Sequence, residues 1–139
     1  MEQTETYRLK LEKLSKAFSS FSQSLEVEFS GKSDIEIDVL RNGQVQKFET
    51  CIELVWKMIK TYLYDYHGIE CYSPKSCLKA FYQNSSLSEQ DYESVMDMIV
   101  CRNAVAHIYE EEEFEAIYQK LTMFTPVINR CLTILDAAL

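Results

Sequence analysis

The stretch VQKFETCIELVWKMIKTYL, which runs from Val45 to Leu63, decides the fold of this chain. Its large apolar residues recur at steps of three or four positions, the spacing that places side chains on one face of an α-helix. The members of this face are Val45, Phe48, Ile52, Val55, Ile59 and Tyr62, and Leu54, Trp56 and Leu63 widen it. The spacing predicts a long helix that ends near His67-Gly68, because glycine readily forms a left-handed C-cap. The start of this helix is left open by Asn42-Gly43, which is a turn signal.

A similar stripe precedes this helix. Its members are Tyr7, Leu11, Leu14, Phe18, Phe21 and Leu25. They predict a first helix that ends at Ser30-Gly31, followed by a polar connection over about residues 32–38. Lys10 and Lys13 lie away from the stripe and should face solvent.

Two further helices are predicted downstream. Ser73-Pro74 combines an N-cap residue with a proline at the first helical position, and it should open a short helix that continues through Phe81. Ser88, with Asp91 three residues later, is typical of a capping box. It should begin a helix that ends near His107.

The acidic run at residues 110–113 favours the start of a last helix, because negative charge stabilises a helix N-terminus. Pro126 lies inside this helix and should kink or split it near Thr125. The apolar stripe of this helix is Phe114, Ile117, Leu121, Phe124, Ile128, Cys131 and Leu135. The whole pattern predicts an all-α, up-and-down four-helix bundle with one additional short helix, as a single domain over residues 1–139.

The composition agrees with this fold. Among 139 residues there are only 3 glycines and 2 prolines, too few for the turns of a many-stranded β fold. No run of 18 apolar residues could span a membrane, and residues 1–16 lack the apolar core of a signal peptide. We therefore expect a cytoplasmic protein without a membrane segment.

The five cysteines are Cys51, Cys71, Cys77, Cys101 and Cys131. They form no C-x-x-C pair, and only two histidines are present, so a zinc site would need scattered ligands. We expect all five cysteines to be reduced and mostly buried, and we expect no metal and no cofactor.

The net charge of −8 is unevenly distributed. Residues 1–60 carry 9 basic and 10 acidic side chains, whereas residues 61–139 carry 5 and 12. This balance argues against broad nucleic-acid binding, which needs a basic surface, but it allows a small site for a nucleotide. The acidic second half also suits a basic protein partner.

Residues 102–109, Arg-Asn-Ala-Val-Ala-His-Ile-Tyr, contain side chains that could form a catalytic or binding site. Arg102 and Asn103 follow an apolar run on a helix whose stripe should continue through them, and buried polar groups are costly without partners. Asn103 and His107 share a helix face, whereas Arg102 and His107 lie roughly 140° apart around an ideal helix. The last two can meet only if the helix ends between them or a second copy of the chain supplies one of them. This geometry points to a homodimer with a composite cleft.

The second helix and this motif together carry a family resemblance. Residues 46–57, QKFETCIELVWK, and residues 102–109 resemble the Q-R-F-E-x-x-x-E-x-x-W-K and R-N-x-x-x-H-x-Y patterns of the bacterial nucleotidyltransferase substrate-binding family, within the HEPN (higher eukaryotes and prokaryotes nucleotide-binding) superfamily. Ser73-Pro74-Lys75 and Ala80-Phe81 stand where that family has its short S-P-R helix and its A-F pair. The resemblance spans about residues 8–135.

This resemblance implies a HEPN-like bundle that forms a homodimer through the Arg102–His107 helix. It also implies a separately encoded minimal nucleotidyltransferase as partner, often in a toxin–antitoxin pair. In related HEPN proteins the arginine and histidine serve metal-independent RNA cleavage. In some pairs the partner adenylylates the tyrosine of the motif, here Tyr109, and so switches the nuclease off.

The residue types are compatible with this chemistry. His107 could accept the proton of an RNA 2′-hydroxyl, and Arg102 could stabilise charge on the phosphate through bidentate hydrogen bonds. Asn103 could orient either the phosphate or the imidazole of His107. Tyr109 falls beyond the predicted helix, where a partner could reach it, although it could also pack at the helix end. In the plainest interpretation, Arg102 is a surface charge and His107 a residue favoured near a helix C-terminus.

Glu49, Glu53 and Lys57 follow one another at four-residue steps on the second helix. Glu53 and Lys57 form a favourable i, i+4 pair, and such a row is typical of a solvated face. The resemblance implies instead that the two glutamates brace the Arg102–His107 cleft.

Two functions therefore remain open. One is a HEPN-type substrate-binding subunit that associates with the nucleotidyltransferase, with Tyr109 as an AMP acceptor and a nucleotide or RNA as a further ligand. The other is a metal-independent ribonuclease toxin that uses Arg102 and His107. The glutamates at 110–113 lie beside the motif and favour the first, because they would repel RNA. An inert motif is the remaining alternative.

Overall fold

Six α-helices make up most of residues 2–139, the part of the chain that the computed structural model describes. They are α1 (Glu2–Ser24), α2 (Asp34–His67), α3 (Pro74–Asn84), α4 (Glu89–Val105), α5 (Glu111–Tyr118) and α6 (Leu121–Ala137). Because no strand occurs between residues 2 and 139, the all-α prediction is confirmed. None of these six helices is long and apolar enough to cross a membrane.

The four long helices alternate in direction. Gln3 near the start of α1 bonds Asp65 near the end of α2, whereas Ser20 near the end of α1 bonds Lys47 in the first half of α2. Likewise, Asp97 in the middle of α4 pairs with Lys120 just before α6, whereas Asp91 near the start of α4 pairs with Arg130 in the second half of α6, so α4 and α6 are antiparallel. The fold is therefore the predicted up-and-down bundle, formed by α1, α2, α4 and α6.

Aromatic rings fill the centre of the bundle. The ring centroid of Phe48 in α2 lies 5.9 Å from that of Phe21 in α1 and 5.5 Å from that of Phe124 in α6. Tyr7 is also buried, and its hydroxyl donates a hydrogen bond to the backbone carbonyl of Leu135, so this burial leaves no unpaired hydroxyl. The apolar stripes of the helices thus face one common core.

Three predicted helix ends are confirmed. α2 is followed by Gly68, which has a left-handed φ of 64°. The Ser73 side chain caps α3 in a capping box, and the Ser88 side chain caps α4 by accepting the backbone N–H of Asp91. The Asp91 carboxylate binds Arg130 of α6, so this residue also joins two helices.

The predicted connection between the first two helices is wrong at both ends. α1 ends at Ser24 rather than at Ser30-Gly31. α2 begins at Asp34, inside the segment predicted to be a connection, and it passes through Asn42-Gly43 without a turn.

Tertiary contacts on both sides explain why the start of α2 stays helical. Gln44 donates a hydrogen bond to the carbonyl of Ser24 at the end of α1, at 2.7 Å. Arg41 forms an ion pair with Glu115 of α5, and its guanidinium lies 4.3 Å from the ring centroid of Tyr118. These contacts outweigh the local turn preference, as tertiary context often does.

Pro126 does not split the last helix, which corrects a second prediction. Pro126 lies inside α6, and the break occurs earlier, at residues 119–120 between α5 and α6. Proline has no N–H for the carbonyl of Thr122, but the hydroxyl of Thr125 donates to that carbonyl at 3.0 Å. Because the acceptor is satisfied, the helix continues through the proline, and the single predicted helix is two helices.

The cysteines are buried as predicted, but they are not all reduced. Cys71 and Cys77 form a disulfide, with Cα atoms 5.2 Å apart, a separation that suits the bond. This pairing depends on the fold of the segment before α3, which no sequence spacing reveals. Cys51, Cys101 and Cys131 are free, and burial raises the pKa of the Cys51 thiol to about 12, which makes it unreactive.

Candidate functional site at the junction of α4 and α5

The predicted motif spans the end of α4 and the connection to the next helix. α4 ends at Val105, two residues before His107, and α5 begins at Glu111. We call residues 106–110 the junction. Because the helix ends between Arg102 and His107, the angular separation of an ideal helix does not apply to these two residues.

Two side chains hold Arg102. Its Nη2 forms an ion pair with Oε2 of Glu53 in α2 at 2.9 Å, and its Nη1 donates to Oδ1 of Asn103 at 3.1 Å. The guanidinium is thus already paired with a carboxylate, although 40% of the arginine side chain is exposed. Within residues 2–139, Asn103 bonds this arginine and forms no hydrogen bond with the imidazole of His107.

Glu53 is the centre of a small polar network. Besides Arg102, it accepts a hydrogen bond from Nε1 of Trp56 at 3.1 Å and forms an ion pair with Lys57 at 3.4 Å. One turn earlier, burial raises the pKa of the Glu49 carboxyl, and the positive charge of Arg102 opposes that rise. The row on α2 therefore faces the motif rather than solvent alone.

His107 and Tyr109 project into solvent. Tyr109 has 88% of its surface exposed, so it does not pack against a helix end. Within residues 2–139, no hydrogen bond or ion pair connects the His107 side chain to Arg102 or to any other residue. Among the described residues, therefore, the arginine, histidine and tyrosine of the motif are not joined to one another by hydrogen bonds or ion pairs.

The cavity described beside the motif is too small for a ligand. The cavity lined by Glu53, Trp56, Arg102 and Asn103 measures only about 10 Å³. Among the described residues 2–139, no group of three His, Cys, Asp or Glu side chains converges as a metal ion would require. What this site can offer a partner is therefore its exposed side chains.

A larger cavity that the sequence analysis missed also has Trp56 in its lining. It measures about 610 Å³ and lies between α1, α2 and residues 69–72. Lys10 and Lys13 of α1 and Lys57 and Lys60 of α2 line it. The signal that could have revealed it is a pair of lysines three residues apart on each of two helices predicted to be neighbours.

Comparison by sequence identifies one family. The sequence model described as "Nucleotidyltransferase substrate binding protein like" matches residues 9–137. Among curated proteins, none matches this sequence.

Two solved structures have a similar fold. A protein from Thermus thermophilus is 24% identical, with a TM-score of 0.77, and the match covers 88% of this chain and 98% of that one. The tri-AMPylated HEPN toxin of Shewanella oneidensis, solved in complex with MNT antitoxin, is 14% identical, with a TM-score of 0.74. That match covers 94% of this chain and 96% of the toxin chain. The HEPN-like fold is confirmed.

Proposed function

This chain belongs to the nucleotidyltransferase substrate binding protein like family, and from that premise we propose that it is the HEPN-type subunit of a minimal nucleotidyltransferase encoded separately. The observation that carries the proposal is the family match, which covers residues 9–137. The similar HEPN toxin of Shewanella oneidensis, which is in complex with MNT antitoxin, supports a toxin–antitoxin pair.

The junction offers such a partner a charged docking point. Glu111, Glu112 and Glu113 form the first turn of α5 and are exposed, and Glu110 precedes them. A basic surface on the partner would complement this run and increase the rate of association.

Tyr109 is the residue that we propose as the AMP acceptor. An acceptor hydroxyl must enter the active site of another protein, and the 88% exposure of Tyr109 between two helices supports this role. In the reaction, Oη of Tyr109 attacks the α-phosphorus of ATP, the bond from that phosphorus to the β-phosphate bridging oxygen breaks, and pyrophosphate leaves. The phenolic proton passes to a base of the partner or to water.

Intact-mass spectrometry tests this role. The chain, incubated with a minimal nucleotidyltransferase, ATP and Mg²⁺, should gain the mass of one AMP or a multiple of it, and Tyr109→Phe should lose the gain completely. The matched control is Tyr66→Phe, an exposed tyrosine of α2 outside the junction, which should still be modified. A mass gain that persists in Tyr109→Phe means that another residue is the acceptor.

Self-association through α4 forms part of the same proposal. Val100 has 47% of its surface exposed, and the adjacent outer positions of α4 include Arg102, Asn103 and Ala104, all partly or fully exposed. A second copy that covers this face would bury Val100 and bring two motifs together. Sedimentation of the chain at micromolar concentration should therefore give a dimer.

The alternative function is a metal-independent ribonuclease that uses Arg102 and His107. The end of α4 between these residues favours it, because they can then approach the same phosphate. The ion pair from Glu53 to Arg102 and the glutamates at 110–113 oppose it, because both reduce the attraction for RNA. We therefore place the binding subunit first.

A further inference from the structure

The larger cavity has the size and the walls of a small-molecule site. Its volume of about 610 Å³ lies within the range of roughly 300–1,000 Å³ that is usual for ligand pockets. Eight residues of α2 between positions 54 and 65 and two positions of α1 line it, and residues 69–72 close another side. The disulfide from Cys71 to Cys77 ties that side to α3. We call this cavity the lysine cleft.

The lysine cleft concentrates positive charge in a chain whose net charge is −8. Its four lysines are Lys10, Lys13, Lys57 and Lys60. Three of them form no ion pair within residues 2–139, and only Lys57 reaches a carboxylate, that of Glu53. The lining also holds the carboxylates of Asp65 and Glu70, which leave the four lysines in excess. Asp65 accepts a hydrogen bond from Gln3 and Glu70 one from the Tyr72 hydroxyl, and within residues 2–139 neither forms an ion pair with these lysines. The free ammonium groups thus remain available to an anion.

Aromatic rings accompany this charge. Trp56, Tyr64 and Tyr72 line the lysine cleft, and Tyr72 and Tyr64 have 77% and 57% of their surfaces exposed. The ammonium group of Lys60 lies 5.7 Å from the ring centroid of Tyr72. Exposed rings beside cations are the combination on which nucleobases stack while their phosphates are neutralised.

We propose that the lysine cleft binds a nucleoside polyphosphate, with its phosphates on Lys10, Lys13 and Lys60 and its base against the tyrosine rings. A long RNA fits less well, because the rest of the surface is acidic and would repel its phosphates. The inference goes beyond the proposed function, because it gives this chain a nucleotide site away from the junction that needs neither the partner nor Tyr109.

The fluorescence of Trp56 provides a direct readout, because this is the one tryptophan of the sequence and it lines the lysine cleft. Titration of the isolated chain with ATP at low salt should change the emission saturably. The double variant Lys13→Gln/Lys60→Gln should weaken the apparent Kd by about tenfold or more, because it removes two charge-assisted contacts. The matched control is Lys75→Gln/Lys79→Gln, which removes the same charge from exposed positions of α3. It should change the Kd by less than about twofold, because neither lysine lines the lysine cleft and exposed charges are screened by salt.

A comparison of ATP with inorganic tripolyphosphate tests where the base and the phosphates bind. Tyr72→Ala should weaken binding of ATP more than binding of inorganic tripolyphosphate, because only ATP carries a base. Circular dichroism should show that all variants keep the helical content of the wild type. The proposal is overturned by the absence of a saturable change with the wild type, by an equal loss in the α3 control, or by tighter binding of a short single-stranded RNA than of ATP. Equal effects of Tyr72→Ala on both ligands overturn the placement of the base.

Discussion

The interior of the bundle and the junction of α4 and α5 place opposite requirements on their residues. In the interior, the ring of Phe48 packs between Phe21 and Phe124 and has no exposed surface. At the junction, Tyr109 is 88% exposed and His107 is exposed as well. The difference teaches that the residues that hold this fold and the residues proposed to meet the partner form separate sets. Variants of the two regions should therefore separate stability from function.

Two arginine–carboxylate pairs repeat this contrast on a smaller scale. Asp91, with 10% of its side chain exposed, accepts two hydrogen bonds from Arg130, at 2.7 and 2.8 Å. Glu53, with 28% exposed, divides its carboxylate among Arg102 and two neighbours on its own helix. The first geometry is that of a fixed structural link, whereas the second leaves the arginine partly free to contact a ligand.

The largest effect is expected in the interior. Phe48→Ala should lower the free energy of unfolding by about 3–5 kcal/mol, because it leaves a cavity between α1, α2 and α6. Urea unfolding followed by circular dichroism measures this loss. Tyr109→Ala removes a ring from solvent and should change the free energy by less than about 0.5 kcal/mol. Similar losses in both variants would contradict the separation of the two regions.

An intermediate, pH-dependent effect is expected at Asp91. The hydrogen bond from Arg130 lowers the pKa of this carboxyl, so the folded state stays ionised at a pH where the unfolded chain, with a pKa of about 3.9, takes up a proton. The stabilisation is therefore present above about pH 4 and is lost as the pH falls through the lowered pKa. Asp91→Asn should cost about 1–2 kcal/mol near neutral pH.

Chemical unfolding at several pH values tests this. The difference between wild type and Asp91→Asn should shrink as the pH falls below about 4. Glu93→Gln removes an equal charge from an exposed position of α4 and should leave the pH dependence unchanged. A constant difference down to low pH would show that Asp91 contributes no ionised link.

The smallest effect on stability is expected at the motif. Arg102→Ala and His107→Ala should each change the free energy of unfolding by less than about 0.5 kcal/mol, because both side chains are partly or fully exposed.

As a binding subunit, the wild-type chain should not cleave RNA in metal-free buffer. Cleavage that each substitution reduces by roughly 10²–10⁴-fold would support the ribonuclease instead.

Much of the fold could be predicted because helical periodicity is a local property. The apolar residues around Phe48 recur at steps of three and four, and this spacing alone defines the face of α2 that will be buried. Caps such as Gly68 and Ser73 act within a single turn and are equally local. The start of α2 could not be read from the sequence, because Arg41 and Gln44, on either side of Asn42-Gly43, contact α5 and α1, which are distant along the chain.

In the candidate site, too, some features follow from the sequence alone and others from the tertiary structure. The sequence by itself determined the order of Arg102, His107 and Tyr109, because these residues belong to one continuous motif. The resemblance implied that Glu53 braces the motif, but only the tertiary structure decided that this brace is an ion pair with Arg102, that Cys71 pairs with Cys77, and that lysines of two helices share one cleft. Burial along one helix follows from the spacing of its own residues, whereas convergence of side chains from several segments depends on how those segments pack.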